Sequence, residues 1–225
     1  MPITNARWLK RGQVSLDEVR SLVEAFHDQS KIKPLLGALG EIAEYDSDVA
    51  VVDGDLAVDG DLDTHKDGIY LLVVKGDLRV TGCIHDYDDP ESFLVVHGSA
   101  RAGAVITAGW LEVHGDLEVE RVLLGDYNDC AAWIDGSVRT PVFYGEEHHF
   151  TIKGALEADV ILGRPRLAIA NPPTAAIPLT DARVLQYIDR DLLRIEEDGD
   201  SILVDGFKNY RDVRLRVASG LPLRG

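Results

Sequence analysis

Histidines and carboxylates cluster in a few short segments of this 225-residue chain, and these residue types can ligate metal ions. His148 and His149 directly follow Glu146 and Glu147. Imidazole and carboxylate groups suit zinc, manganese or iron. Adjacent residues of a strand point to opposite faces, however, and the chain has no HxxxH or HExxH spacing. A metal site at His148 and His149 is therefore a weak hypothesis, and solvated turn residues are the favoured interpretation.

Carboxylates raise a second chemical possibility, the cleavage of polysaccharide. That reaction needs two carboxyl groups at a fixed separation beside a sugar-binding groove. Stacking aromatics for such a groove are sparse, with Trp110 and Trp133 the only tryptophans in the central region. The chain also has no GxSxG elbow and no phosphate-cradling loop. We therefore expect a protein that is not an enzyme and that has no cofactor, with a metal-binding or polysaccharide-acting enzyme as an alternative.

Two pairs of residues have simpler interpretations. His97 and His114 each precede a repeated glycine, so their rings could stack in a ladder facing the surface. Cys83 and Cys130 are 47 residues apart and form no metal-ligand spacing. We expect both cysteines to be free thiols that fill small core positions.

A recurring phrase indicates what positions these residues. It reads VDGDLAV from Val52 and VKGDLRV from Val74, and its glycine returns at intervals of 22, 22, 17, 21 and 18 residues, as Gly54, Gly76, Gly98, Gly115, Gly136 and Gly154. A period near 20 is typical of a solenoid. Apolar and polar residues alternate within each unit, which favours strands with one buried face.

These units are too short for a βαβ crossover, and they predict a mainly β protein, a single-stranded right-handed parallel β-helix. Six coils stacked at about 4.8 Å give a rod roughly 25–30 Å long. The glycine suits a sharp corner because it accepts backbone angles that other residues resist. Further apolar positions follow eight residues after each glycine, at Leu62, Ile84, Ile106, Leu123, Tyr144 and Leu162.

Insertions between coils supply the candidate site. They fall in one phase of the repeat, at residues 63–68, 85–92, 125–130 and 145–149. Insertions of one phase project from one edge of a solenoid. We expect this edge to carry an acidic ridge that binds a partner, formed by Asp63, Asp67, Asp86, Asp88, Asp89, Asp126, Asp129, Glu146 and Glu147.

Both flanks of the repeat are expected to be helical caps that cover the ends of the rod. Ser15 begins a capping box with an apolar stripe behind it, and a second helix is expected from Pro34. Thr180 should begin a helix that contains Leu185 and Ile195, and another should follow Phe207. The expected organisation is a helical cap over 1–48, the β-helix over 49–163, a proline-rich connector over 164–180 and a helical cap over 181–225.

A net charge of −16 restricts the partners of this chain. It repels nucleic acid and anionic membranes and suits a basic protein. No basic stripe is present that could follow a phosphate backbone. The first 14 residues have no apolar core typical of a signal peptide, and no apolar run is long enough to span a membrane. We expect a cytoplasmic protein with a basic protein partner, without nucleic acid or membrane binding.

The run VVDGDLAVDGDL and the later LLVVKGDLRVTGCI resemble the coils of bactofilins, the polymer-forming β-helical proteins. This resemblance covers about half of the chain and implies a bacterial, cytoplasmic, non-enzymatic protein that self-assembles end to end. The acidic insertions and the expected caps depart from that pattern, and caps would block end-to-end stacking. A compact acidic protein of this kind is also similar in style to immunity proteins, which neutralise a toxin by covering it.

Our leading hypothesis from the sequence is a non-catalytic β-helical module for protein–protein interaction. Its most specific form is a bacterial immunity protein that neutralises a basic toxin through the acidic ridge. The main alternative is a bactofilin-like scaffold that self-associates into a polymer.

Overall fold

The computed structural model describes residues 3–9, 21, 48–89, 91–126, 129–170, 175–198 and 201–225. Its central part is a β-solenoid of about six coils built from parallel strands, as the repeat predicted. Each coil contributes one strand segment to each of three faces. The helices expected near Ser15 and Pro34 lie outside the described residues.

The strands follow the three faces in chain order. The first face contains β2 (Asp48–Val52), β5 (Ile69–Val74), β7 (Phe93–Val96), β9 (Trp110–Val113) and β12 (Ala131–Ile134). The second face contains β3 (Leu56–Val58), β10 (Leu117–Val119) and the first residues of β6 (Leu78–His85) and β8 (Ala100–Thr107). The third face contains β4 (Leu62–Asp63), β11 (Val122–Gly125) and the ends of β6 and β8. β13 (Val138–Ile152) and β14 (Leu156–Ile169) are long enough to run around the corners.

The repeated glycines form a column at the corner between the first and second faces. Each glycine N–H donates to the carbonyl of the glycine one coil before, at 2.9–3.0 Å from Gly76 to Gly154. None of the six has a positive φ, so the expectation of an unusual backbone angle was wrong. A Cβ on Gly98 would lie 2.1 Å from Asp77 Oδ1 and 2.8 Å from the Gly76 carbonyl oxygen. From Gly76 to Gly154, glycine is required because the preceding coil approaches too closely for any side chain.

The Asp or Ser after each of the first five repeat glycines links one coil to the next. Asp55 Oδ1 accepts from the Asp77 N–H at 2.9 Å, and Asp77 Oδ1 accepts from the Ser99 N–H at 2.8 Å. The same bond recurs from Ser99 through Asp116 to the last coil. These side chains satisfy backbone donors of the following coil, which explains why a residue with a side-chain acceptor stands at these positions.

The apolar residues eight positions after each glycine are all buried, three of them inside the solenoid and three on its outer side. Leu62, Ile84 and Leu123 point into the solenoid, where they meet Val105, Phe143 and Ile161. Ile106, Tyr144 and Leu162 instead belong to a second hydrophobic cluster outside it. The corner between the second and third faces is one residue shorter in coils 3, 5 and 6. Because strand side chains alternate, one residue moves a side chain to the opposite face.

The C-terminal segment covers the outer side of the third face. It contains a 3₁₀ helix (Ala182–Gln186), the antiparallel hairpin of β15 (Leu193–Asp198) and β16 (Ser201–Phe207), and helix α1 (Tyr210–Ala218). Its buried side chains pack on outward-facing residues from Cys83 in coil 2 to Leu162 in coil 6. The helix expected from Thr180 to Ile195 was therefore wrong beyond the 3₁₀ turn, because Leu193 and Ile195 lie in a hairpin, whereas the helix expected after Phe207 is present.

Strands also extend beyond the bounds expected for the β-helix. β1 (Arg7–Leu9) pairs antiparallel with β2, so that Leu9 lies opposite Val49, and Ile3 is buried in the main core. At the other end β14 continues to Ile169, inside the segment expected to be a connector. Ile177 adds a bridge to Leu162 on the third face.

Candidate functional site

The four acidic insertions lie along one edge of the solenoid, between the third and first faces. Each follows a strand segment of the third face and precedes one of the first face, and the strands on both sides are in register. This edge contains all nine acidic residues proposed as the ridge. Their side chains differ in how far they reach solvent, and that difference decides which of them can meet a partner.

Asp86 is fully buried and acts within the fold. Its Oδ1 accepts hydrogen bonds from the N–H groups of Ala108 (2.6 Å) and Gly109 (2.5 Å), in the next coil. Burial raises the pKa of this carboxyl to about 6, although the two backbone donors act against that rise. Asp86 therefore holds the short turn between coils 3 and 4 and is unable to contact a partner.

Asp63 belongs to a hydrogen-bonded series of side chains that reaches helix α1. Arg214 donates to His85 Nε2 (2.7 Å), His85 Nδ1 lies 3.1 Å from the Tyr87 hydroxyl, and that hydroxyl donates to Asp63 Oδ2 (3.1 Å). Since arginine can only donate, His85 Nε2 accepts and Nδ1 holds the proton. Burial and the nearby Arg214 lower the pKa of His85 to about 4, in accord with a neutral ring.

Both ends of this hydrogen-bonded series are ion pairs. Lys66 lies 2.9 Å from Asp63 Oδ2, and Arg214 also donates to Asp126 Oδ2 at 3.0 Å. Burial by itself would raise the pKa of Asp63, but hydrogen bonds from Lys66 and Tyr87 outweigh it and the pKa is lowered. Burial and Asp63 raise the pKa of Tyr87, so its hydroxyl stays protonated as a fixed donor. Asp63 and Asp126 are therefore partners of the protein's own cations.

The last insertion is held by two arginines of β14. Arg164 donates to Glu146 Oε1 (2.9 Å through Nε), and Arg166 donates to Glu147 Oε2 (2.5 Å). Glu147 has φ of 57° at an irregularity in the β13–β14 pairing, a left-handed conformation that is uncommon for a residue with a side chain. These two ridge acids therefore lie in ion pairs on the surface.

The two histidines proposed as metal ligands face apart. His148 is fully buried, with its ring 5.0 Å from that of Phe150, whereas His149 is exposed and lies 3.0 Å from Arg166. They do not converge on one ion. Among the residues that the structure describes, no group of three His, Cys, Asp or Glu side chains could hold a metal ion.

The exposed ridge acids are Asp88, Asp89 and Asp129. Asp67 is half-buried and accepts from the Asp63 N–H at 3.2 Å. Glu91 forms a backbone bridge with Asp88 and accepts from Trp110 Nε1 at 2.6 Å. Cys130, which directly follows Asp129, has its Sγ 3.8 Å from Glu91 Oε1. We call Asp88, Asp89, Glu91, Asp129 and Trp110 the acidic patch.

Glu91 and Trp110 were not among the residues proposed from the sequence. Glu91 lies inside an insertion already recognised as acidic, so it could have been included. Trp110 is the first residue of β9, and nothing in the sequence separates it from a core aromatic. Its ring is partly exposed and stacks on Phe93, with 6.2 Å between ring centroids and 13° between planes.

A second polar column runs along the corner where the first face ends. The His97 and His114 rings stack as expected, with centroids 5.1 Å apart and planes 3° apart. Lys75 pairs with Asp53, and Lys153 pairs with Asp135, both at 2.6 Å. This column links coils 1 to 2, 3 to 4 and 5 to 6 in pairs, so its residues have a structural explanation.

The fold and this edge define a β-solenoid with an irregular acidic side. No protein-family model, no curated protein and no solved structure matches the chain. Within the described part of the chain, none of the helices combines the length and apolar character needed to cross a bilayer.

Proposed function

We propose that this protein is a non-catalytic interaction module that binds a basic protein through the acidic patch. The observation that carries the proposal is the concentration of exposed Asp88, Asp89 and Asp129 around the Glu91–Trp110 pair. Of the other ridge acids, Asp67 is half-buried and accepts from a backbone N–H, and the rest are buried or engaged with Lys66, Arg214, Arg164 or Arg166. The patch is therefore narrower than the ridge expected from the sequence.

The chemistry of the patch suits recognition of lysine or arginine. Exposed carboxylates accelerate association with a positively charged partner and set its orientation. A partly exposed tryptophan supplies an anchor of the type enriched at the centres of protein interfaces. Glu91 fixes the indole through its N–H, which lowers the conformational entropy lost when the ring is covered.

The most specific form of this proposal is an immunity protein in the bacterial cytoplasm, whose right-handed solenoid covers and neutralises a basic toxin. A rigid stack of coils suits that task because the patch is presented with little rearrangement. Such a partner should carry a cluster of lysine or arginine at its functional surface.

Matched charge variants test the patch. The first variant combines Asp88→Asn, Asp89→Asn and Asp129→Asn. The control combines Asp159→Asn, Glu196→Gln and Asp212→Asn, which are exposed elsewhere on the surface. Both remove three negative charges. In pull-downs from native lysate followed by titration of the captured protein, the patch variant should bind at least tenfold more weakly and the control should bind like the wild type.

A patch variant that retains every partner at wild-type affinity would exclude the proposal. Equal weakening by the patch variant and the control would show that only net charge matters, and this would exclude the patch as the binding site. The partner gene is best sought beside the gene for this chain, where a toxin gene would support the immunity form.

A second candidate function is that of a self-assembling scaffold of the bactofilin kind. A strand edge at one end of the solenoid supports this candidate. On the first face, the final segment of β14 pairs with β13 on one side, and no described strand pairs with its other side. Leu167 and Ile169 are only partly buried there. Open strand edges can pair with another chain. Sedimentation velocity over a hundredfold concentration range tests this candidate, because a scaffold should form dimers or longer assemblies, and monomers throughout would exclude it.

A further inference from the structure

A cavity of about 540 Å³ lies between helix α1 and the insertion edge, beside the hydrogen-bonded series of Asp63, Tyr87 and His85. Pockets for small molecules commonly have volumes of 300–1,000 Å³. Its walls combine Tyr87 and His85 from the solenoid with residues of one side of α1, among them Tyr210, Leu215 and Ala218. It is separate from the acidic patch, whose residues do not line it.

The charged side chains that line this cavity are all cationic. They are Lys66, Arg211 and Arg214, and no carboxylate is among the described residues of the lining. This is unexpected in a chain with 39 acidic and 23 basic residues. Asp63 pairs with Lys66 and Asp126 pairs with Arg214, and neither acid lines the cavity.

Arg214 is held in place before any ligand arrives. Its Nη1 donates to Asp126 and its Nη2 to His85, and its guanidinium lies 5.7 Å from the centroid of the Tyr87 ring. Because His85 is neutral, only Asp126 of these two acceptors offsets the charge of the guanidinium. These two bonds leave further N–H donors of the five that arginine carries. A fixed guanidinium loses little entropy when it binds an anion.

The rest of the lining offers apolar contact. The Tyr87 ring stacks on His85, with centroids 4.2 Å apart, and Leu215 is 54% exposed at the wall.

We propose that this cavity binds a small organic anion, an aromatic or other apolar body that carries a phosphate or carboxylate group. Arg214, Arg211 and Lys66 bind the anionic group, and Tyr87, Leu215 and Ala218 contact the body. The site lies beyond the proposed interaction function and does not depend on it, because no residue of the acidic patch takes part.

Phenyl phosphate is a suitable probe because it carries both parts of the expected ligand. Titration by calorimetry and by amide chemical shifts, in a phosphate-free buffer, should give saturable binding with shifts confined to α1 and residues near Tyr87. Benzyl alcohol, which has the ring alone, and inorganic phosphate, which has the anion alone, should each bind at least tenfold more weakly.

Two exposed leucines supply a matched pair of variants. Leu215→Glu places a carboxylate at the cavity wall, whereas Leu203→Glu places one on the hairpin, where Leu203 is 57% exposed. Both residues are more than half exposed, so both variants should fold. Leu215→Glu should weaken phenyl phosphate binding at least tenfold, and Leu203→Glu should leave it unchanged.

A second pair tests the cations. Lys66→Gln with Arg211→Gln should weaken binding about tenfold, and Arg79→Gln with Lys208→Gln, two exposed cations outside the cavity, should have no effect. The proposal is overturned if phenyl phosphate shows no saturable binding up to 20 times the protein concentration at millimolar protein. Equal weakening by the matched variants, or binding of inorganic phosphate as tight as that of phenyl phosphate, also overturns it.

Discussion

Replacement of Gly98 by alanine is expected to destabilise the solenoid through contact between coils alone. The new Cβ would lie 2.1 Å from Asp77 Oδ1 and 2.8 and 2.9 Å from the carbonyl oxygen and carbon of Gly76. Asp77 can turn away, but it then loses its bond to the Ser99 N–H. The backbone of Gly76 is unable to turn away, so coils 2 and 3 must separate locally.

The free energy of unfolding should fall by about 1–3.6 kcal/mol. A lost hydrogen bond costs about 1 kcal/mol, and overpacking against backbone costs about 1–3 kcal/mol. The lower entropy of alanine in the unfolded chain offsets about 0.4–1 kcal/mol of that loss. Urea unfolding followed by circular dichroism measures the change, as a lower midpoint at an unchanged slope.

Gly54→Ala is the matched control, because Gly54 occupies the same place in the first coil. No coil with a repeat glycine precedes it, and among the residues that the structure describes its Cβ would meet nothing within 4 Å. This variant should be as stable as the wild type or slightly more stable. Asp77→Ala should cost about 1 kcal/mol in the wild type and almost nothing beside Gly98→Ala, since the bond is already lost. Equal urea midpoints for Gly98→Ala and Gly54→Ala would refute the proposed role of the glycine column.

Three further predictions concern titration, thiols and the strained bulge. Between about pH 4 and 6 the folded state keeps a proton on Asp86 that the unfolded state has released, so the contribution of Asp86 makes the free energy of unfolding fall as pH rises. His85 acts in the opposite direction. It is neutral in the folded state but protonated in the unfolded state up to about pH 6.5, so its contribution makes the free energy of unfolding rise with pH. Each effect amounts to about 3 kcal/mol at 1.36 kcal/mol per pKa unit, and the two oppose each other. In urea unfolding measured at several pH values, Asp86→Asn should leave a free energy of unfolding that rises with pH, and His85→Gln one that falls with pH. Unchanged pH profiles would contradict both assignments. Cys83 is buried, and burial raises its pKa to about 12. At pH 8 its thiol should therefore react with a disulfide reagent at least a hundredfold more slowly in the folded protein than in protein unfolded by urea. Rapid labelling of the folded protein would show that the C-terminal segment does not cover Cys83. Glu147→Gly should relieve the strain of the φ of 57°, which offsets part of the lost ion pair with Arg166 and leaves the free energy of unfolding within about 1 kcal/mol of the wild type. Glu147→Val should be clearly less stable than Glu147→Gly in thermal unfolding. Equal melting temperatures of the two variants would argue against strain at this residue.

Much of the architecture could be predicted because the repeat is local and regular. The glycine spacing and the alternation of apolar residues indicate parallel coils, and the phase of the insertions places them along one edge. The stacking of His97 and His114 also follows from their shared place before the glycine. Handedness, the helices expected before β2 and the functional roles of the ridge acids stay predictions.

The register was harder to predict because corner lengths vary by one residue. Nothing near Ile106 or Tyr144 distinguishes an inward from an outward side chain, and both are apolar in either case. The outward residues are apolar because the C-terminal segment covers them, and that segment is far from them in the sequence. The hairpin was missed for the same reason: β15 and β16 pair with each other while their buried side chains pack on the third face.

The sequence by itself determined that the chain is a solenoid, since a phase-locked glycine and alternating strands depend only on neighbours along the chain. Only the tertiary structure decided why the glycine is there and which acids remain exposed. The preceding coil leaves no room for a Cβ at the glycine. Whether an acidic side chain is buried or exposed depends on the hydrogen-bond donors that other coils or α1 place beside it. Asp86 and Asp88 illustrate this: two residues apart and identical in type, one holds a turn inside the protein and the other faces solvent.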